Sequence, residues 1–210
     1  MSTEFFTSAL VTLLVTLDPP GLAPIFLSLT RGMTAAERRQ VAWRACIIAF
    51  VIMAFFALAG DVVLKALGVS LPAFRIAGGL LLFWIAFEMV FERRNARKQQ
   101  TADIAITQDH IRNVAAFPLA IPLMAGPGAL TAMMLLAGRA QGDVLQITLL
   151  IGLAGLVVAI CWLTYLMAHP ISRLLGVTGN VVLTRLLGVI LAALAVQFVM
   201  DGVTQAIKAA

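Results

Sequence analysis

From Leu145 to Ala168 the chain runs for 24 residues without a charged side chain. A helix of that length rises about 36 Å, enough to cross the ~30 Å hydrocarbon core of a bilayer. Five further runs read the same way: Phe5–Leu29, Val41–Leu67, Leu71–Phe91, Val114–Ala137 and Val181–Val203. In hydrocarbon every peptide N–H and C=O must find its partner inside the protein, so such runs predict helices rather than an open sheet. The predicted class is an all-α membrane protein of six transmembrane helices. With 61% hydrophobic and 12% charged residues in 210, nothing is left over for a soluble domain, and residues 1–210 read as a single transmembrane domain.

The charges report orientation. Arg31, Arg38, Arg39, Arg44, Arg93, Arg94, Arg97, Lys98, Arg112 and Arg173 fall after the first, third and fifth runs, against Lys65, Arg139 and Lys208 on the other side. The positive-inside rule then turns both termini outward, to the periplasm in a bacterial cell. The net charge of +5 sits in connections beside the spans, so it argues for no nucleic-acid partner. Glu4 precedes the first run, no Lys or Arg does, and no small-residue cleavage pattern follows it, so the first span is expected to be retained. Cys46 and Cys161 lie in apolar runs, without ligand spacing, and predict buried free thiols; no metal or other cofactor is expected. Thr34 to Glu37 fits a capping box that starts the second helix.

The polar connection 93–113 divides the chain into residues 1–92 and 114–210, three spans each. Leu64–Ser70, "LKALGVS", matches Ser172–Thr178, "SRLLGVT". Arg75 opens "RIAGG" as Arg185 opens "RLLGV", and Pro20-Gly21 matches Pro127-Gly128. All three fall in one order at offsets of 107 to 110 residues, which predicts an internal repeat. An odd number of spans per half inserts the copies in opposite directions, giving an inverted-topology repeat.

Within those halves the first and fourth spans contain breakers. Proline lacks the amide that a helix bonds to the carbonyl four residues earlier, so Pro19, Pro20 and Pro127 predict broken helices. Each break frees carbonyls on one side and amides on the other: Gly21 and Leu22 in the first span, Gly128 and Ala129 in the fourth. A zwitterion carries a carboxylate for the amides and an ammonium for the carbonyls, and glycine at 21, 126 and 128 allows close approach to the main chain. A proline kink that only fits helices together is the plainer alternative.

Asp18 would lie about 20 Å into the core, where an unpaired carboxylate is costly. It reads as a ligand for a substrate ammonium, as a carrier of a coupling proton, or as an N-cap whose carboxylate accepts the amide of Gly21. Arg75 and Arg185 take equivalent places in spans three and six. Arg185 is expected within reach of Asp18, and Arg75 level with the Gly126–Gly128 break, where it would meet a substrate carboxylate; snorkelling to headgroups is the alternative for each. Glu88 and Glu92 read as an interfacial cluster. His169, before Pro170, reads as a helix end.

The stretches "LDPPGLAPIFLSLTRG", "LPAFRIAGGLLLF", "AAFPLAIPLMAGPGALT" and "TRLLGVILAALAVQF" resemble the MarC family of six-helix membrane proteins over nearly the whole chain. Pro20 stands where that family more often carries an aliphatic residue. The resemblance implies a bacterial inner-membrane protein and, for some members, movement of glycine or alanine. The expected function is secondary transport of small neutral amino acids by alternating access, with proton or sodium coupling at Asp18 and Arg185. Drug or other small-solute efflux and a non-transporting scaffold are the alternatives. No GxxxxGK, HExxH or GxSxG pattern occurs, and His110 and His169 are the two histidines, so enzymatic activity is not expected.

Overall fold

The computed structural model describes residues 3–93, 114–140 and 143–209. Apart from Arg93, the 93–113 connection lies outside them, and with it Arg94, Arg97, Lys98, His110 and Arg112. The described residues form eight helices: α1 (Thr3–Leu17), α2 (Pro19–Leu29), α3 (Ala35–Ala66), α4 (Leu71–Val90), α5 (Ala115–Met124), α6 (Pro127–Arg139), α7 (Val144–Leu166) and α8 (Ala168–Ala209).

Segments Phe5–Leu29, Ala35–Gly60, Leu71–Val90, Val144–Leu166 and Thr178–Lys208 are each long and apolar enough to cross a membrane. The pair α5 and α6, which meet at 56°, makes a sixth crossing if it is counted as one span. Large apolar side chains such as Trp43, Val51, Phe55, Leu58, Leu80, Leu186 and Val189 point outward. A protein facing water on all sides rarely shows so much contiguous apolar surface, whereas lipid tails accept it without cost.

The helix starts follow their capping chemistry. Thr34 Oγ1 accepts the amide of Glu37 at 3.3 Å while Glu37 Oε2 accepts that of Thr34 at 2.8 Å, closing the capping box that begins α3. Ser70 Oγ accepts the amide of Ala73, with Pro72 in the first turn of α4. Asp143 Oδ1 accepts from Leu145 and Gln146 at the head of α7. α8 bends at Gly176, whose φ of 58° and ψ of −172° only glycine adopts without strain.

Packing between spans relies on small residues. α4 and α8 run antiparallel: a methyl group at Gly79 would lie 2.9 Å from the carbonyl oxygen of Ala195, one at Gly188 would lie 3.1 Å from that of Ala86, and one at Gly202 3.0 Å from that of Pro72. Backbones that approach this closely gain dispersion contacts along their whole length, the main attraction available between helices in lipid. α3 lies along α7, with Cys46 Sγ 3.8 Å from the carbonyl of Val158. Both cysteines are buried free thiols. α1 runs antiparallel to α6, since Arg139 reaches Ser8 at one end and Gly128 meets Thr16 at the other.

Candidate functional site: the joint of α1 and α2 beside the start of α6

Helical hydrogen bonding runs to Asp18, whose amide donates to Leu14, and restarts from it, since its carbonyl accepts from Leu22. Between these, Pro19 and Pro20 have no amide to give to Val15 and Thr16. Gly21, whose amide would next serve Leu17, donates instead to Asp18 Oδ1 at 3.2 Å. Asp18 itself is left-handed, with φ 56° and ψ 64°, a region that Asp and Asn enter more readily than other residues because their side chains bond locally. A Cβ at 21 would collide with the Asp18 carboxylate as it lies in the cap, so glycine there lets the cap form.

The joint is largely enclosed, with Pro20 its partly exposed member. Asp18 and Leu22 show no exposed surface, Thr16 is 2% exposed, and Pro19 and Gly21 are buried. Thr16 turns its hydroxyl back to the carbonyl of Thr12 at 2.5 Å.

The second interruption differs in detail. α5 is an irregular π-type turn sequence in which Phe117 and Ile121 take extended backbone angles, and the peptide bonds before Pro118 and Pro122 are cis. Ala125 and Gly126 carry the chain to Pro127, the first residue of α6. A Cβ at Gly126 would run into the carbonyl oxygen of Pro122. No side chain caps α6, whereas Asp18 caps α2. Gly128 and Ala129 are buried, Gly126 is partly exposed and Pro127 is exposed.

These two places adjoin. A Cβ on Gly128 would touch Ile85 of α4 and lie 3.4 Å from Thr16 Cγ2. The carbonyl end of α1 is thus set beside the amide end of α6, with opposite partial charges facing one small region. Ile85, Pro118 and Pro122 were not singled out in the sequence. For the prolines the signal was present, two of them four residues apart inside an apolar run.

Two predicted site residues lie elsewhere. Arg75 is 3% exposed, but its Nη2 donates to the carbonyl of Gly138 at 2.9 Å, at the C-terminal end of α6. That is roughly 18 Å along the helix from Gly126, so Arg75 is not level with the second interruption. Its charge instead complements the negative end of that helix dipole. Arg185 reaches Glu92 at 3.2 Å, and both side chains are substantially exposed, so it pairs there and not with Asp18. Asp201 pairs with Arg139, whose guanidinium lies 4.1 Å from the ring centre of Phe198.

Among the described residues no group of three or more His, Cys, Asp or Glu side chains is placed to hold a metal ion.

Residues 3–207 match the model of a family described as "MarC family integral membrane protein". A UPF0056 membrane protein of Archaeoglobus fulgidus is 40% identical, over 96% of this chain and 93% of its own length. UPF0056 membrane protein YvbG of Bacillus subtilis is 34% identical, covering 96% and 95%. UPF0056 membrane protein YhcE of Escherichia coli is 32% identical, covering 89% and 86%. No solved structure matches the chain. A match across nearly all of the sequence, together with the apolar helices, makes this chain an integral, multi-pass membrane protein belonging to the MarC family.

Proposed function

We infer that the chain is a secondary transporter of small neutral amino acids, of glycine or alanine size, in a bacterial inner membrane with both termini outward. The observation that carries this reading is the enclosed apposition of the Asp18 joint to the start of α6. The carbonyl end of α1, together with the Asp18 carboxylate, suits an ammonium. The uncapped amides of Gly128 and Ala129 suit a carboxylate. The glycines bring main chain to the ligand and leave little volume for a side chain, which favours glycine and alanine over larger amino acids.

The contacts between α4 and α8 support an inverted repeat. Gly79 against Ala195 and Gly188 against Ala86 are the same contact with the partners exchanged, related by a single 109-residue shift. Exchange of partners under one shift is what a pseudo-two-fold axis between the halves produces. Alternating access would then rock one half against the other around the joint, with Asp18 carrying a proton or liganding sodium.

The test is uptake of labelled glycine, alanine and leucine into proteoliposomes, with and without proton and sodium gradients. Glycine and alanine are expected to accumulate and leucine to be excluded. Absence of flux for all three in correctly inserted protein rejects the reading, and leucine uptake equal to that of glycine rejects the size argument.

A further inference from the structure

At the arginine-rich end of the bundle, three cavities follow one another along the face between α3 and α7. The first, about 450 Å³, lies among Phe26, Met33, Arg38, Arg39, Tyr165 and His169. The second, about 530 Å³, shares Arg39 and is walled by Gln40, Trp43 and Trp162. The third, about 210 Å³, shares both tryptophans and lies between Phe50, Gly155 and Val158. The lining therefore changes from cationic, through two amphipathic indoles in edge contact at 5.9 Å, to wholly apolar.

The cationic end has unused donors. Tyr165 is 2% exposed and stacked on Phe26 at 4.6 Å, yet its hydroxyl has no hydrogen-bond partner, and neither do Arg38 Nε and Trp162 Nε1. Glu37, the adjacent acid, is engaged in the capping box with Thr34. Neither Arg38 nor Arg39 has an ion pair among the described residues. Buried donors without acceptors cost free energy that a suitable ligand would recover. Trp43 and Ile47 are exposed, so the groove opens sideways toward lipid rather than along the bundle axis.

We propose that this groove is a binding site for an anionic glycerophospholipid, with the phosphate held by Arg38, Arg39, His169 and the Tyr165 hydroxyl and one acyl chain lying past Trp43 and Trp162 toward Phe50. Guanidinium groups match phosphate oxygens in pairs, and indoles favour the level of the headgroups. A soluble anion would use the same donors but would leave the apolar third of the groove without a role. The site is distinct from the Asp18 joint and does not depend on the transport reading.

Native mass spectrometry of the full chain in mild detergent tests this, with phosphatidylglycerol and phosphatidylcholine of matched acyl chains offered in parallel. Phosphatidylglycerol is expected to be retained about tenfold better than phosphatidylcholine, with Tyr165→Phe and the pair Arg38→Gln/Arg39→Gln each removing most of that preference. Trp43→Ala is expected to weaken retention of both lipids. Tyr165→Phe keeps the ring and its stack, so it reports on the hydroxyl without disturbing the fold. Equal retention of the two lipids, or unchanged preference in the tyrosine and arginine variants, overturns the proposal. Displacement of phosphatidylglycerol by millimolar inorganic phosphate also overturns it, assigning the donors to a free anion.

Discussion

Gly79 passes the carbonyl of Ala195 so closely that a methyl group would sit 2.9 Å from its oxygen. Because the obstacle is main chain, neither partner can turn aside, and α4 and α8 would have to separate. Gly79→Ala is expected to destabilise the protein by about 1–3 kcal/mol, the usual range for overpacking. Gly188→Ala, facing the carbonyl of Ala86, should cost a similar amount. Thermal unfolding of both single variants in detergent measures this, and a harmless change at one position beside a severe one at the other would deny that the two contacts are equivalent.

At the interruptions, what blocks a methyl group differs from one glycine to the next. At Gly126 the obstacle is the Pro122 carbonyl, and at Gly128 it is chiefly the tip of the Ile85 side chain. A side-chain tip can change rotamer; a carbonyl in a constrained turn cannot. Gly126→Ala should therefore lower the unfolding temperature more than Gly128→Ala does, while Gly128→Ala, which narrows the space beside Thr16, should reduce glycine flux in protein that still folds. Paired stability and uptake measurements separate these effects.

Asp18 combines a backbone duty with a charge, and two substitutions divide them. Asparagine keeps an acceptor for the Gly21 amide and tolerates the left-handed backbone, so Asp18→Asn should fold with nearly unchanged stability. Alanine loses the cap and dislikes that backbone region, so Asp18→Ala should cost about 2 kcal/mol. If the carboxylate carries coupling, Asp18→Asn abolishes gradient-driven uptake despite folding; full activity in that variant removes the charge from the mechanism.

Much of this was legible in the sequence because hydrocarbon makes a simple demand: the runs from Phe5, Leu71 and Leu145 are helical for want of water. Thr34 to Glu37 and Pro19-Pro20 were readable too, since capping and proline chemistry act over three or four residues. The partners of the arginines were not. Counting residues along a span placed Arg75 level with Gly126 and Arg185 near Asp18, but Arg75 caps α6 at its far end, roughly 18 Å from Gly126, and Arg185, whose direction about its helix axis residue counting leaves open, meets Glu92. The irregular course of α5 was likewise hidden, because an apolar run with two prolines keeps the hydropathy of a helix whatever its backbone does.

The two ion pairs between spans should differ in strength. Arg139 and Asp201 tie α6 to α8 with side chains 20% and 31% exposed, and Arg139 is also held by Ser8 at 3.4 Å and by the face of Phe198. Arg185 and Glu92 are 53% and 43% exposed and 3.2 Å apart. Exposed pairs are screened and lose side-chain freedom in forming, so a double-mutant cycle of Arg185→Gln with Glu92→Gln should give a coupling below about 1 kcal/mol. The cycle of Arg139→Gln with Asp201→Asn should give more, about 1–3 kcal/mol, because the guanidinium is fixed by neighbours before it meets the carboxylate. Unfolding free energies of the six variants and the parent decide it. A larger coupling for the Arg185 pair would mean that the Arg139 contact is not held in solution as the structure places it.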